Sequence, residues 1–145
     1  MTTKENMRLM KILDDAWNSK DWDTFNKLHT NDVNVYWPSQ SEPTRGVHIH
    51  QKEAEIFFNT FPDNRIENDP YIVLFGQDDW TCSIANFSGT HTNPMVGENG
   101  KTIPPTNKKF HIEFCTVAHW KNGQIMEERL FYDLVGLMRQ LGWIQ

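Results

Sequence analysis

Apolar residues along the first eighteen positions recur three and four apart. Leu9, Ile12, Leu13, Ala16 and Trp17 make one stripe, so residues 2–18 are predicted to form an amphipathic helix. Thr2 followed by Glu5 has the spacing of a capping box. Asp21 can cap a second, short helix carrying Trp22, Phe25 and Leu28. The period then changes. Val33, Asn34, Val35, Tyr36 and Trp37 alternate like a strand that Pro38 stops. Residues 39–45 read as a loop. Residues 46–60 read as a third helix, with Ile49, Ile56, Phe57 and Phe61 on or near one face, ended by Phe61-Pro62-Asp63.

Strand patterns fill most of the remainder. Residues 71–75 are a β-rich run turned by Gly76 to Asp79, and residues 80–91 form a long strand. Residues 93–106, rich in Gly, Pro and Asn, read as a loop, and residues 110–120 as a second long strand. Asn122-Gly123 is a strong hairpin signal, and residues 124–132 return from it. Asp133 then precedes a short helix with apolar Leu134, Val135, Leu137, Met138 and Leu141. Three helices, a meander of long antiparallel strands and one helix predict an α+β fold, with helices packed on one face of a curved sheet. The 145 residues fit one domain, 1–145.

Composition narrows the function classes. The chain is 38% hydrophobic and 12% aromatic, with six Trp and nine Phe, enough for a core and a pocket lining. A formal net charge of -5 and no Lys/Arg cluster argue against nucleic acid. No apolar run approaches the roughly eighteen residues of a membrane span, and no leader is visible, so a cytoplasmic protein is expected. Cys82 and Cys115 fall in strand-like runs and read as small buried apolar residues of a reducing compartment. There is no CxxC, no HExxH and no close ligand triad in the sequence, so no metal is expected.

Four pieces carry a family resemblance over nearly the whole chain. They are Trp17 to Trp22; Phe61-Pro62-Asp63; Gly89-Thr90-His91-Thr92 with Pro104-Pro105-Thr106; and Gly123 to Glu127 with Asp133, Leu137, Gln140 and Leu141. In this order they resemble the SnoaL-like polyketide cyclase, or ester cyclase, group of the nuclear transport factor 2-like superfamily. The resemblance implies a cone-shaped α+β barrel: three N-terminal helices on a strongly curved, mixed, mostly antiparallel sheet, and a short C-terminal helix. It implies a deep apolar pocket, a homodimer, and an intramolecular aldol closure run without cofactor or metal, in which an aspartate moves the proton. Asp133 is matched to that aspartate. The chain departs from the group at Asn107 (commonly Gly), Arg129 (commonly Trp) and His119 (commonly Arg), and its loop at 95–102 is longer.

The residues permit two readings of Asp133. At a strand end over an apolar pocket, its pKa would rise and suit it to remove a proton beside a carbonyl; equally, it is a good helix N-cap. His91 and His119 are candidate catalytic donors or relays, with Trp37 a third donor. Unbroken alternation would put Ile125, Glu127, Arg129, Phe131 and Asp133 on one face of the last strand. It would bring His111 or its neighbour near Asp133, and Val117 or Ala118 near Glu127. Glu127 and Arg129 are then either substrate contacts or an ion pair. Trp37, Phe57, Phe61, His111 and Tyr132 are candidate pocket residues. His48 and His50, two apart on a helix, read as surface or capping residues. The expected partner is a hydrophobic carbonyl-bearing small molecule. Three functions fit: a small enzyme of cyclisation, isomerisation or hydrolysis, a non-catalytic ligand binder, or an interaction module.

Overall fold

The caps written in the sequence set the first two helices. In the computed structural model, which describes every residue except 98, the Thr2 hydroxyl accepts from the Glu5 N–H at 3.1 Å. Helix α1 (Thr3–Ser19) follows, and Lys20 ends it in the left-handed conformation at φ 57°. Asp21 accepts from the Thr24 N–H at 3.2 Å and starts α2 (Trp22–Lys27). Strand β1 (His29–Tyr36) begins four residues earlier than the alternation suggested, and β2 (Thr44–Arg45) pairs with it inside the expected loop. Helix α3 (Val47–Thr60) matches its expected span.

The remaining strands are β3 (Arg65–Glu67), β4 (Val73–Gln77), β5 (Trp80–Thr90), β6 (Met95–Val96), β7 (Thr102–Ile103), β8 (Lys109–Lys121) and β9 (Gln124–Phe131), before helix α4 (Leu134–Gln140). β6 and β7 pair with each other within the expected 93–106 loop; that loop includes residue 98, which lies outside the described residues. The main sheet runs β2-β1-β9-β8-β5-β3, with β4 also on β5. β1 lies parallel to β9 and the other pairs are antiparallel, so the sheet is mixed, mostly antiparallel.

The expected α+β arrangement of helices on a mixed, mostly antiparallel sheet is present, and the sheet is open. Closure needs the two edges to pair. Here β2 forms one edge while β3 and β4 share the other. Helices cover these edges instead: α1 packs on β3, β4 and β5, and α3 on β1 and β2. The covered face carries the core. Thr81, Ser83, Ala85 and Phe87 of β5 are buried, as are Phe110, Ile112, Ala118 and Trp120 of β8, while their neighbours along each strand face outward.

One irregularity decides which side chains β9 presents to that core. Asn122 and Gly123 both have positive φ (51° and 77°), as a tight hairpin turn requires. The pairing then runs Trp120 with Ile125 but His119 with Glu127, so Met126 has no partner opposite. This β-bulge shifts the alternation by one residue. Ile125, Glu128 and Leu130 are buried, and Glu127, Arg129 and Phe131 turn outward. Ala118 consequently stands opposite Glu128, not Glu127. Among the described residues, no helix is long and apolar enough to cross a membrane.

Candidate functional site

Between α1, α3 and the inner face of the sheet lies a cavity of ≈ 50 Å³. Its walls are mostly aromatic, with Trp17, Phe25, Trp37, Phe57, Phe87, Phe114 and Tyr132 among them. Phe57 stacks on Phe87 (ring centroids 5.5 Å apart) and Tyr132 on Phe114 (5.4 Å), so the walls are braced. Four polar side chains open into this apolar space: Asp14, His50, Thr116 and Glu128.

Three of these four belong to ionisable networks. Glu128 Oε2 lies 3.2 Å from His29 Nε2 and 3.6 Å from His50 Nε2. His29 donates through Nδ1 to the Phe25 carbonyl at 2.7 Å. His50 donates through Nδ1 to Glu53 Oε1 at 3.3 Å. Glu53 is held in turn by the Trp37 indole N–H (3.1 Å), the Thr44 hydroxyl (2.6 Å) and the Gln40 amide (3.2 Å). Burial works against the charge on Glu128, but its contacts with His29 and His50 prevail and hold it well below the usual carboxylate range. Burial also opposes the His50 charge, yet Glu128 and Glu53 lift its pKa to about 9. Glu53 stays low because His50, Thr44 and Gln40 outweigh its desolvation.

Asp14 sits on the buried face of α1. Burial pushes its carboxyl up to about 7; the Tyr71 hydroxyl, donating to Oδ2 at 2.5 Å, pulls it down, and the Glu128 charge pushes it up further. The same pairing and burial raise the Tyr71 hydroxyl above its ordinary range. The cavity therefore holds one carboxyl poised near neutrality, beside an anion braced by two imidazoles.

The residues expected from sequence divide into two groups. Trp37, Phe57 and Tyr132 line the cavity. The others do not. Asp133 is exposed and accepts from the Gly136 N–H at 2.8 Å, the N-cap alternative. His119 stacks flat on Trp80 (centroids 4.3 Å, 2° between planes), on the outer face of the sheet. His111 is exposed, and its backbone N–H donates to Gln140 Oε1 at 2.6 Å. Glu127 and Arg129 pair with each other at 2.6 Å on the outer face, where the bulge directs them. Phe61 stands behind Phe57, 4.8 Å between centroids. His91 is fully buried beside Phe61. Its Nδ1 accepts from the Trp143 indole (3.2 Å) and the Thr106 N–H (3.4 Å), and its buried Nε2 has no partner among the described residues. Burial lowers its pKa.

His50, expected at the surface, is 3% exposed and central to the site. Asp14, His29 and Glu128 drew no functional reading from sequence. For Asp14 a signal existed: it lies four residues after Met10 and three before Trp17, on the stripe that α1 buries. His50 stands likewise three after Val47 and four before Ala54.

A family model described as SnoaL-like polyketide cyclase matches residues 7–141. No curated protein matches the chain. Among solved structures, a candidate SnoaL-like polyketide cyclase from Jannaschia sp. CCS1 superposes with a TM-score of 0.84 at 18% identity, covering 99% of this chain and 96% of that one. AclR from Streptomyces galilaeus, described as a candidate hydroxylase, gives 0.80 at 18% identity over 99% and 100% of the two chains. IdmH from Streptomyces antibioticus, described as a candidate polyketide cyclase, gives 0.75 at 22% identity over 94% and 98%. At these identities the structures speak for a shared fold. With the family model spanning nearly the whole chain, the protein belongs to the SnoaL-like polyketide cyclase family.

Proposed function

We propose that this chain is a small-molecule enzyme that moves a proton next to the carbonyl of a hydrophobic substrate, with Asp14 as the base. The observation that carries this reading is the Asp14 carboxyl, raised to about 7 and opening into an aromatic cavity. A base with a pKa near the working pH combines a useful ionised fraction with enough proton affinity. In the step, the ionised Asp14 takes a proton from the carbon beside the carbonyl, and the electron pair left behind moves onto the carbonyl oxygen. His50, charged and lining the same cavity, keeps its ring nitrogens on Glu53 and Glu128 and contributes positive charge near that oxygen. Preorganised positive charge near a developing oxyanion lowers the barrier. The enolate can then close on a second carbonyl, as in an aldol cyclisation, or take the proton back elsewhere, as in an isomerisation.

The apolar walls favour an apolar carbonyl compound over a sugar or nucleotide, and the ≈ 50 Å³ cavity has to widen to admit it. We also propose that the chain works as a homodimer joined through the outer face of the sheet, where Phe75 and Phe131 are more than half exposed.

The test uses 2-tetralone in D2O, following exchange of its α-protons by NMR. Wild-type protein is expected to accelerate exchange. Asp14→Asn is expected to lose about 10²–10⁴-fold of that acceleration while still binding the ketone. Exchange equal in the two proteins would remove Asp14 as the base. Ketone binding without any exchange would favour a ligand-binding module.

A further inference from the structure

The arrangement around Glu128 exceeds what an ion pair requires. Two histidines approach the same carboxylate oxygen, each by its Nε2, at 3.2 and 3.6 Å. Each has its other ring nitrogen committed elsewhere: His29 Nδ1 to the Phe25 carbonyl, His50 Nδ1 to the Glu53 carboxylate. Those acceptors require a proton on Nδ1, so in the neutral ring the Nε2 lone pair is the one that faces Glu128. This pattern, a histidine oriented by a carbonyl or carboxylate on its far nitrogen, is how proteins hold metal-ligating imidazoles.

We propose that His29, His50 and Glu128 form a binding site for one divalent transition-metal ion, with its open coordination position facing the cavity. The three ligand atoms lie within 4.8 Å of one another. Tetrahedral zinc with ligands at about 2.0–2.1 Å separates its ligands by about 3.4 Å, close to the two nitrogen–oxygen distances here. Two imidazoles and a carboxylate are a donor set for zinc and neighbouring first-row ions, and three protein ligands leave a fourth position vacant for water or substrate. Direction also fits. His29 is 1% exposed and closes the back of the site, while His50 and Glu128 line the cavity. Glu53, fixed by Trp37, Thr44 and Gln40, supplies the outer support for His50. A bound ion would take over from His50 the supply of positive charge near a substrate oxygen. The metal site stands apart from the proton-transfer reading, which needs Asp14 and no metal.

The full-length protein, stripped with EDTA and dialysed, is titrated with Zn²⁺ by isothermal calorimetry. One ion per chain is expected. His50→Gln and Glu128→Gln are expected to weaken binding by more than about 100-fold, and Glu53→Gln by about 10–100-fold, as loss of an outer partner does. His48→Gln and His119→Gln leave it unchanged. Absence of stoichiometric binding, or binding that survives both His50→Gln and Glu128→Gln, overturns the proposal. Should those variants not fold, Co²⁺ added to the wild type decides: paramagnetic shifts centred on His29 and His50 support the site, and shifts centred on His48, His111 or His119 overturn it. Tetralone exchange by the stripped protein with no zinc binding removes the metal site alone. Zinc binding with exchange indifferent to Asp14→Asn supports the metal site and removes the proton-transfer reading alone.

Discussion

Asp14 carries two opposite effects in one side chain. Only its ionised form can accept a proton, so catalysed exchange is expected to rise as pH passes through about 7 and to level off above it. A rate profile flat between pH ~5 and ~9 would count against this base. Stability runs the other way. The folded carboxyl is pushed up to about 7, whereas an aspartate free in water titrates near 3.8. Between those values the folded chain holds a proton that the unfolded chain has released, so stability falls as pH rises through that window. Asp14→Asn keeps an acceptor for the Tyr71 hydroxyl and removes the buried charge. At pH ~8 it is expected to be more stable by about 2–4 kcal/mol. Thermal unfolding at pH ~8 and at pH ~4 checks this, because the gain must vanish at the lower pH, where both side chains are neutral. A functional carboxylate that costs stability is a common compromise of active sites.

At the scale of elements, the caps and the bulge explain which features were legible in the sequence. Asp133 holds the first turn of α4, so Asp133→Ala is expected to cost about 1 kcal/mol of stability. Denaturant unfolding reads that loss, while tetralone exchange is expected to persist. The helices, the long strands β5, β8 and β9 and the Asn122-Gly123 hairpin could be read because each has enough residues for a period, or a turn with a known backbone demand. β2, β3, β6 and β7, at two or three residues each, are too short to show one. The site was obscured for different reasons. Met126 breaks the alternation of β9, so counting by twos picks Glu127 and misses Glu128. Asp14 and His50 lie on helical stripes but look polar enough to be read as surface. His29 opens β1 one residue after α2 ends, with only Leu28 between, and its partner Glu128 is 99 positions away. Only the assembled sheet brings them together.

At the scale of the whole molecule, an open sheet has a second face. That face carries the Trp80–His119 stack, the Arg129 guanidinium 4.1 Å from the Tyr36 ring centre, and exposed Phe75 and Phe131. Light scattering behind a sizing column is expected to give twice the 17.1 kDa of one chain, and Phe131→Glu is expected to return it to one. A wild-type mass of a single chain would remove the dimer. The far end of the molecule has a practical consequence of its own. Trp143 reaches back to His91 and, with Thr106, fills the acceptor side of that ring, so the C-terminal tail acts as a fastening for the middle of the chain. Loss of the Trp143 side chain would therefore loosen the His91–Thr106 region as well as the tail.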